Sequence, residues 1–424
     1  IEYLKNIHFT KEDIDFLREQ GISDAFCDYL KDFKFTCDVW AIPEGTPIFP
    51  NEPIVKVRGP VVEAQLIETA LLMFINQQSL IATKANRLVR ASHSTTVAEY
   101  GTRRAQGFSQ AVLGARAAYI GGCRSTSNVL AGQMFDIAVK GTHAHSWVMS
   151  FPDELSAFRA YAELYPDNCL LLVDTYDTLK SGVPNAIKVF DELKAKGYKP
   201  SGIRLDSGDL AYLSKQARKM LDAAGHEDCK IFASGDIDED VLLSLQIQGA
   251  KIDIYGIGTR LITSYRQPSL GGVYKLAAME DENGVLVPKM KLSDSKVKMT
   301  NPGLKKVVRL YNEDGMAEAD LICLKEETFD TTKPLTIYHP EKHWISKTLK
   351  NFTAKELQIT VFEKGKLVYK LPNIHEIGRH EDESMAEFHE EYRRTLYPAE
   401  FKVDLSDKLY DLKMSIIRKN GKNI

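Results

Sequence analysis

The sequence lacks the features that mark several classes of protein. Its six cysteines include no Cys-x-x-Cys pair, which disfavours a zinc knuckle and a disulfide scaffold and indicates a reducing, cytoplasmic compartment. No apolar run approaches the ~18 residues of a membrane span, and no signal peptide is visible. The formal net charge is only -3, so we expect neither a nucleic-acid nor a membrane partner.

The remaining composition is that of an ordinary globular protein. Hydrophobic residues make up 44% and charged residues 27% of the 424 residues, close to the average for soluble domains. At roughly 150 residues per domain, this length predicts two or three domains. Because the chain begins at Ile1 rather than at methionine, we expect a further N-terminal piece to precede it.

Three regions differ in their hydrophobic pattern. Residues 1–94 predict a helical and β-rich N-terminal domain, in which residues 36–58 carry short apolar runs broken by Pro and Gly. Residues 95–264 alternate apolar runs with helical stretches and are predicted to carry the active site. Residues 265–424 return to strand-like runs and end in a charged helical region. We expect their strands to complete the module of residues 36–58.

The middle region repeats one structural unit. Each apolar run ends in a polar cluster and a helical pattern follows, at a spacing of roughly 25–30 residues, which predicts a parallel α/β architecture. Polar residues gather at the end of nearly every run instead of at one point, and this favours a (β/α) barrel over a doubly wound sheet. Because the region has only about 165 residues, short for a full barrel, we predict an incomplete or irregular one.

A predicted strand ends at a helix N-terminus within residues 137–151, which include Thr142, His143 and His145. Free N–H groups and the helix dipole favour anions at such a junction. Two imidazoles two residues apart share one face of an extended chain, but two ligands are too few for a metal site. A structural histidine satisfied by the backbone is a second alternative. We favour His145 as a group that transfers protons or accepts a phosphoryl group.

A cation precedes two carboxylates at the end of another predicted strand. Arg204 can bind a carboxylate or a phosphate through two parallel hydrogen bonds. Asp206 and Asp209 could hold ribose hydroxyls or Mg²⁺, whose ligands are oxygens. The alternative is an internal Arg–Asp pair, with Asp209 as the N-cap of the next helix.

Small-residue turns follow the last two strands of this region. Ser234 and Gly235 belong to one turn, and Gly258 and Thr259 belong to the other. Glycine lets backbone N–H groups approach a phosphate closely, and the last loops of (β/α) barrels commonly form phosphate sites. A plain tight turn is the alternative for each.

Arg103 and Arg104 add two cations after the first strand of the region. Adjacent residues of an extended chain point in opposite directions, so only one could face a pocket there. A solvated pair is the alternative. Together the strand ends offer cations, a histidine, carboxylates and two phosphate turns, without a Ser–His–Asp pattern. That mixture suits a substrate with several phosphates and a separate small anion.

Five motifs resemble those of nicotinate phosphoribosyltransferases, and they occur in that family's order. They are Glu99–Gln106, Thr126–Gly132, Gly141–Trp147, Ile203–Asp209 and Tyr255–Thr259. The resemblance extends over nearly the whole chain. It implies an incomplete (β/α) barrel of the type II phosphoribosyltransferase kind joined to a β-rich domain, with a helical C-terminal region. The family usually forms a homodimer with shared active sites.

The resemblance also implies a reaction of NAD salvage. Nicotinate, 5-phosphoribosyl 1-pyrophosphate, ATP and water give nicotinate mononucleotide, pyrophosphate, ADP and phosphate, through a phosphohistidine. Such an ATP-coupled phosphoribosyltransferase is classed as a ligase that forms a C–N bond. Mg²⁺ is the implied cofactor, since the leaving pyrophosphate must be clamped by positive charge. A nicotinamide phosphoribosyltransferase and a catalytically silent nucleotide-binding barrel are the alternatives.

Residue by residue, the resemblance assigns roles at the strand ends. His145 matches the phosphorylated histidine, whereas His143 occupies a position that varies in the family. Thr142 and Arg204 match nicotinate-contacting positions, and Arg204 suits the pyridine carboxylate. Thr259 matches a contact to 5-phosphoribosyl 1-pyrophosphate. We assign to the same substrate Gly258, Ser234, Gly235, Arg103 and Asp206, and we assign no residue to the metal.

Two features depart from the family pattern. The N-terminal segment with an aromatic residue that stacks on nicotinate would lie before Ile1. Arg124 stands where the pattern usually has an acidic residue ahead of Thr126. It could therefore weaken or retune a ribose or metal contact.

Overall fold

The computed structural model describes residues 1–93, 95–293, 299–342 and 344–420. Its helices are α1 Glu2–Asn6, α2 Lys11–Glu19, α3 Asp24–Lys31, α4 Val61–Leu66, α5 Glu68–Ala91, α6 Phe108–Ile120, α7 Val129–Phe135, α8 His145–Met149, α9 Glu154–Leu164, α10 Val183–Ala195, α11 Leu210–Ala223, α12 Glu239–Ile247, α13 Thr259–Ile262, α14 Ile374–Ala386, α15 Glu390–Arg393 and α16 Asp407–Lys419. Short 3-10 turns span Thr102–Arg104 and Pro166–Asn168, and a π-helical turn spans Thr178–Gly182.

The strands are short in the middle of the chain and longer towards its end. They are β1 Asp38–Ala41, β2 Val55–Arg58, β3 Thr96–Glu99, β4 Ser125–Thr126, β5 Ala138–Val139, β6 Leu170–Leu172, β7 Gly202–Leu205, β8 Lys230–Gly235, β9 Ile254–Ile257, β10 Ala278–Glu280, β11 Leu286–Pro288, β12 Lys305–Tyr311, β13 Ala317–Leu324, β14 Leu335–Tyr338, β15 Ser346–Leu349, β16 Thr353–Glu356, β17 Ile359–Glu363, β18 Lys366–Leu367 and β19 Val403–Leu405.

The chain divides into two compact units. The first unit comprises residues 1–73, 272–372 and 380–424, and the second comprises residues 74–271 and 373–379. The three-domain division that we predicted at residues 94/95 and 264/265 stays a prediction. Ser94, the last residue of the first predicted domain, lies outside the described residues.

The second unit contains a parallel sheet with the strand order β5-β4-β3-β9-β8-β7-β6. Its first strand, β3, pairs with its last, β9, over Thr96–Glu99 and Ile254–Ile257. A doubly wound sheet does not pair its first and last strands, whereas a barrel does. Within the described residues the cycle is open only between β5 and β6, so the predicted incomplete (β/α) barrel is confirmed.

Strands β6, β7 and β8 of this barrel are largely apolar because they are covered on both faces. Leu170, Leu171 and Leu172 are all buried, as are Ile203 in β7 and Ile231 in β8. Leu171, Ile203 and Ile231 pack against helices α9, α10 and α11 in one cluster. An apolar run therefore marks these strands, and the polar residues that follow such a run lie at the carboxyl end of the strand.

One strand is displaced from its apolar run along the chain. The apolar run from Ile252 to Tyr255 predicts a strand there, whereas β9 spans Ile254–Ile257. The reason lies at Asp253, whose carboxylate accepts a hydrogen bond from the N–H of Ile231 at 2.8 Å. The side chain of Asp253 thus occupies this N–H group of β8. Regular backbone pairing between β8 and β9 begins one residue later, at Ile254.

The first unit contains an antiparallel sheet with the order β18-β17-β1-β2 and a mixed sheet with the order β15-β14-β19-β13-β12-β16, in which β13 and β19 pair in parallel. The predicted return of late strands to the early module is confirmed, since β17 pairs with β1. Helix α2 begins with a capping box. Thr10 accepts from the N–H of Asp13, and the Asp13 carboxylate accepts from the N–H of Thr10 at 2.7 Å.

All six cysteines are free and buried. Burial raises the pKa of Cys37, Cys169 and Cys323 to about 12, so these thiols are protonated and unreactive at neutral pH. Over the described ranges, we find no helix with the length and apolar character that crossing a membrane requires.

Candidate active site

The predicted site residues follow the carboxyl ends of the barrel strands, which meet at one edge of a parallel sheet. Direct contacts join Thr142 and His145, which follow β5, with Arg204 and Asp206 at β7 and Ser234 in β8. Gly235, Gly258, Thr259 and Arg103 lie at neighbouring strand ends.

Arg204 is the centre of this group. Its Nη1 donates to Thr142 Oγ1 at 2.8 Å, its Nε to Ser234 Oγ at 2.8 Å, and its Nη2 to Asp206 Oδ1 at 2.7 Å. Its guanidinium carbon lies 5.6 Å from the centroid of the Tyr100 ring. A guanidinium has five N–H groups, so one N–H remains on each Nη. The internal Arg–Asp pair exists, and it leaves a fork available for an anion.

Asp206 is an ionised carboxylate at neutral pH. Burial raises its pKa, but the hydrogen bond from Ser234 and the positive charge of Arg204 outweigh burial, so that the pKa lies below its ordinary value. Both partners bind the same oxygen, Oδ1. The second oxygen, Oδ2, lies 3.8 Å from Nε2 of His145.

His145 is the first residue of α8, and its side chain is 39% exposed. Nδ1 lies 3.1 Å from Thr175 Oγ1. Nε2 lies 3.9 Å from Asp174 Oδ1 and 3.8 Å from Asp206 Oδ2, which is too far for a hydrogen bond. The ring is therefore oriented through one nitrogen while the other faces an open position between two carboxylates, as a nucleophilic histidine requires.

Asp174 is a site residue that we did not assign from the sequence. Its Oδ2 accepts from the N–H of Asp206 at 3.0 Å and from Ser207 Oγ at 2.6 Å. Its Oδ1 is buried and has no hydrogen-bond partner in the described part of the chain. A buried carboxylate oxygen without a partner is costly, so a ligand at this oxygen would be favourable. The sequence feature that could have identified Asp174 is its position directly after the fully apolar run of residues 170–173.

The same oxygens are the candidates for a metal ion. Asp174 Oδ1 and Asp206 Oδ2 both approach Nε2 of His145, and Mg²⁺ prefers carboxylate oxygens. The described residues contain no group of three or more His, Cys, Asp or Glu side chains able to hold a metal. The protein could therefore supply two carboxylates, and phosphate oxygens would complete the coordination of Mg²⁺.

His143 is buried, unlike His145. Its Nε2 accepts a hydrogen bond from the N–H of Leu172 at 3.2 Å, and its ring packs at 4.7 Å against Tyr161. Burial lowers the pKa of His143 to about 4, so the ring is neutral at physiological pH. The backbone therefore satisfies Nε2 of His143, whereas Nδ1 is buried without a hydrogen-bond partner in the described residues; Nδ1 of His145 contacts a side chain instead.

Glu99 is a second residue that sequence reasoning did not assign. It is buried at the end of β3 and accepts from Thr126 Oγ1 at 2.5 Å and from the N–H of Gly101. Burial raises its pKa, although both hydrogen bonds oppose that change. The side chain ties the ends of β3 and β4 together beneath the site.

Close packing partly explains why glycines occupy the end of β9 and the turn that follows it. A Cβ at Gly256 would lie 2.7 Å from the Tyr100 ring, and one at Gly258 would lie 2.8 Å from the Tyr100 carbonyl oxygen. Only glycine permits this approach of β9 to the residue after β3. Thr259 begins α13, and within the described residues its hydroxyl has no hydrogen-bond partner. Gly235 adopts a φ of 130° at the end of β8.

Two expectations are revised by local geometry. Arg103 and Arg104 lie in a 3-10 turn, closed by a 2.8 Å hydrogen bond from the N–H of Arg104 to the carbonyl of Gly101, so the expectation of an extended pair was wrong. Both side chains are exposed. Asp209 is the N-cap of α11 and accepts a hydrogen bond from the N–H of Tyr212 at 2.9 Å. This is the role that the alternative of an internal Arg–Asp pair predicted for it.

Arg124 directs its guanidinium to backbone within the second unit. Nη1 donates to the carbonyl of Tyr119 at 2.8 Å, and Nη2 lies 3.4 Å from the carbonyl of Gly378. The guanidinium carbon also lies 5.2 Å from the Tyr119 ring. These contacts join the end of α6 to the start of α14, and they assign Arg124 a structural role.

Comparison with known proteins adds independent findings. Models of the nicotinate phosphoribosyltransferase family match residues 1–76 (N-terminal domain), 95–309 (NAPRTase family) and 304–413 (C-terminal domain). The chain is 48% identical to nicotinate phosphoribosyltransferase of Bacillus subtilis (strain 168) over 419 residues, which cover 98% of this chain and 85% of that protein. It is 32% identical to the Homo sapiens protein of the same name over 474 residues, covering 98% and 87%.

A solved structure is also similar. The crystal structure of human nicotinic acid phosphoribosyltransferase superimposes with a TM-score of 0.86 at 30% identity, covering 98% of this chain and 90% of that chain. This likeness confirms that the incomplete barrel is of the predicted type II phosphoribosyltransferase kind.

Proposed function

The chain belongs to the nicotinate phosphoribosyltransferase family, and we propose that it transfers the phosphoribosyl group of 5-phosphoribosyl 1-pyrophosphate to nicotinate in NAD salvage. Arg204 is the observation that carries this proposal. Its two remaining N–H groups, beside the hydroxyl of Thr142, form a fork for one planar carboxylate. Nicotinamide has one acceptor oxygen and an NH₂ donor, so it would satisfy this fork less well.

The reaction places one new bond at the ribose C1. The pyridine nitrogen of nicotinate donates its lone pair to C1, and the bond from C1 to the pyrophosphate oxygen breaks, so that pyrophosphate leaves with that electron pair. Positive charge develops at C1 in the transition state, and a nearby carboxylate such as Asp206 would stabilise it. We assign to 5-phosphoribosyl 1-pyrophosphate the residues Thr259, Gly258, Ser234, Gly235, Arg103 and Asp206.

Mg²⁺ fits the carboxylates next to His145. Asp174 contributes a buried oxygen without a partner, and Asp206 contributes its Oδ2. When bound, the ion would neutralise negative charge on the phosphates and the leaving pyrophosphate. The protein residues themselves hold the two carboxylates in place through Arg204, Ser234 and Ser207.

ATP coupling would proceed through His145. Nε2 attacks the γ-phosphorus of ATP, ADP leaves, and water later cleaves the N–P bond to release phosphate. Thr175 holds Nδ1 during both steps. Phosphorylation adds about -1.5 to -2 charges beside Asp174 and Asp206. A charge change of that size at the substrate site biases substrate affinity, and about 1.4 kcal/mol of coupling would change it tenfold.

The phosphohistidine is tested with [γ-³²P]ATP. His145→Ala should abolish acid-labile labelling and ATP stimulation, while slow ATP-independent formation of nicotinate mononucleotide continues because Arg204 and Thr142 remain. His8→Ala is the matched control, since His8, in the first unit, is exposed and its Nδ1 lies 2.7 Å from the carbonyl oxygen of Asn6. Labelling that survives in His145→Ala would show that another residue is phosphorylated. No product from nicotinate in the parent protein would favour the silent barrel.

We also propose a cytoplasmic homodimer with shared active sites. Large apolar side chains are exposed on helices of the second unit, namely Phe108 (75%), Val129 (69%), Met149 (65%) and Met134 (58%), and such surfaces support an interface. The buried, free cysteines suit a reducing compartment. The specific activity of the parent protein should fall on dilution to concentrations at which the dimer dissociates, if each site takes residues from both copies. A monomer by sedimentation at micromolar concentration would exclude this assembly.

A further inference from the structure

The barrel leaves one strand edge without a backbone partner. β6 pairs with β7 but not with β5 in the described chain. The N–H of Val173 donates to the carbonyl of Arg204 on the β7 side at 3.1 Å. Because N–H groups of successive strand residues point to opposite sides, the N–H of Leu172 points into the opening. Leu172 is only 1% exposed, so this donor needs a partner within the protein.

That partner is an imidazole. Nε2 of His143 lies 3.2 Å from the nitrogen of Leu172 and accepts its hydrogen. The ring is held by burial against Tyr161 and Phe158. Acceptance requires an unprotonated Nε2, so the proton of the neutral ring is on Nδ1. Burial favours this neutral form and lowers the pKa of His143 to about 4.

A second imidazole, that of His145, also contacts the chain just after β6. His143 contacts Leu172, and two residues later His145 contacts Thr175 through Nδ1 at 3.1 Å. Thr142, one residue before His143, accepts a hydrogen bond from Nη1 of Arg204. The segment that follows β5 is thus attached to the end of β6 by two side-chain contacts where a backbone ladder is missing.

We propose that His143 is a positioning residue for the reaction. By replacing the absent pairing between β5 and β6, it fixes Nε2 of His145 relative to Asp174. The functional part of this inference rests on the proposed phosphorylation of His145. The hydrogen bond itself does not, and it can be measured separately.

Two variants test the proposal. His143→Leu removes the acceptor at similar volume, whereas His143→Gln can place an amide oxygen near the former Nε2. In His143→Leu, hydrogen exchange of the Leu172 amide should accelerate by about tenfold or more, and ATP stimulation of product formation should fall towards one. His143→Gln should keep most of both. His226→Leu is the control, since it removes another buried imidazole, bonded to Asp191 at 2.9 Å, before β8, and it should leave the stimulation ratio unchanged.

The parent protein gives a measurement that needs no variant. Imidazole ¹⁵N shifts of histidine-labelled protein should show Nε2 of His143 unprotonated and Nδ1 protonated between pH 6 and 8. A proton on Nε2 would overturn the proposal even if His143→Leu fails to fold. An equal fall of ATP stimulation in His143→Leu and His226→Leu would also overturn it. The same holds if His143→Leu keeps full ATP stimulation and an unchanged hydrogen-exchange rate at the Leu172 amide. A parent without histidine labelling would instead overturn the proposed function and, with it, the catalytic part of this inference.

Discussion

At Arg204, three N–H groups organise the protein and two remain for a ligand. Lysine has the same charge but no fork. Arg204→Lys should therefore raise the KM for nicotinate by about 10- to 100-fold, since bidentate charged pairs contribute roughly 1.4–3 kcal/mol. The KM for 5-phosphoribosyl 1-pyrophosphate should change much less. Steady-state kinetics with each substrate varied separately will measure both.

The matched control is Arg218→Lys. Arg218 also uses its whole fork, bonding Asp222, the carbonyl of Cys229 and the carbonyl of His226, but it lies on α11 and contacts residues that precede β8. It should lose stability without a change in either KM. Equal effects on both KM values in Arg204→Lys would contradict the assignment of the fork to nicotinate.

The buried imidazole of His143 predicts a pH dependence of stability. Its folded pKa of about 4 lies below the ordinary value near 6.5, so its contribution is complete above about pH 6.5 and is lost as the pH falls towards 4. This displacement corresponds to a loss on the order of 3 kcal/mol. His143→Gln, which does not titrate, should show a flatter profile of urea midpoints between pH 7 and 4. Parallel profiles for the two proteins would contradict the buried neutral ring.

Most site residues could be predicted because each follows an apolar run. Thr142, Arg204 and Ser234 were placed together by one rule, that carboxyl ends of parallel strands share an edge. Asp174 and Thr175 follow the same rule, yet nothing in their spacing shows that they meet His145. That meeting depends on which strand pair is missing, and only the structure shows that it is the pair β5–β6.

At the scale of elements, the junction between α6 and α14 depends on Arg124. Arg124→Ala removes charged hydrogen bonds to the carbonyls of Tyr119 and Gly378, and hydrogen bonds of this kind contribute about 1.5–3 kcal/mol. We expect a lower free energy of unfolding and unchanged kcat and KM. Arg159→Ala is the control, because the pair of Arg159 with Glu192 is exposed and should contribute less than about 1 kcal/mol. A changed KM for 5-phosphoribosyl 1-pyrophosphate without destabilisation would instead place Arg124 in the site.

Strand positions in the barrel were predictable and strand lengths were not. β4 and β5 each have only two residues, since pairing there stops as soon as the chain turns towards Asn128 or Thr142. The 3-10 turn at Arg103 was missed for a related reason. A hydrogen bond to the carbonyl of Gly101 ends the strand directly after Tyr100, and composition does not report such a local bond.

At the scale of the molecule, the first unit has its own buried polar centre. Arg309 is fully buried and donates to both oxygens of Asp320, at 2.8 and 2.7 Å. The rings of Phe49, Phe388 and Phe401 lie within 6.0 Å of its guanidinium. A buried pair of this kind is satisfied only as a unit, since loss of one partner leaves an uncompensated charge.

Glu52 lies beside this pair and gives a second pH prediction. Burial, reinforced by the carboxylate of Asp320, raises the pKa of Glu52 to about 10, so the group is neutral when folded. Its contribution to stability is complete below about pH 4.3 and is lost as the pH rises towards 10. Glu52→Gln should match the parent at pH 4 and exceed its urea midpoint increasingly at pH 7 and 9. Exposed Glu313→Gln serves as the control, and an unchanged difference between pH 4 and 9 would contradict a neutral Glu52.

The overall architecture was predictable because its pattern repeats. Alternating apolar runs and helices predicted a parallel barrel, and the short length of the region predicted that the barrel would be incomplete. The return of β17 to β1 was also foreseen, although its register, with Val39 opposite Phe362, depends on packing over more than 300 residues of chain that no local pattern encodes.

The central claim is that the fork of Arg204 selects a pyridine carboxylate. The most direct test is the ratio of kcat/KM for nicotinate to kcat/KM for nicotinamide, measured on the parent protein with saturating 5-phosphoribosyl 1-pyrophosphate. A site built around a charged hydrogen-bonding group should discriminate by about 100-fold or more, so we predict a ratio of at least that size. A ratio below one, with nicotinamide as the better substrate, would contradict the account.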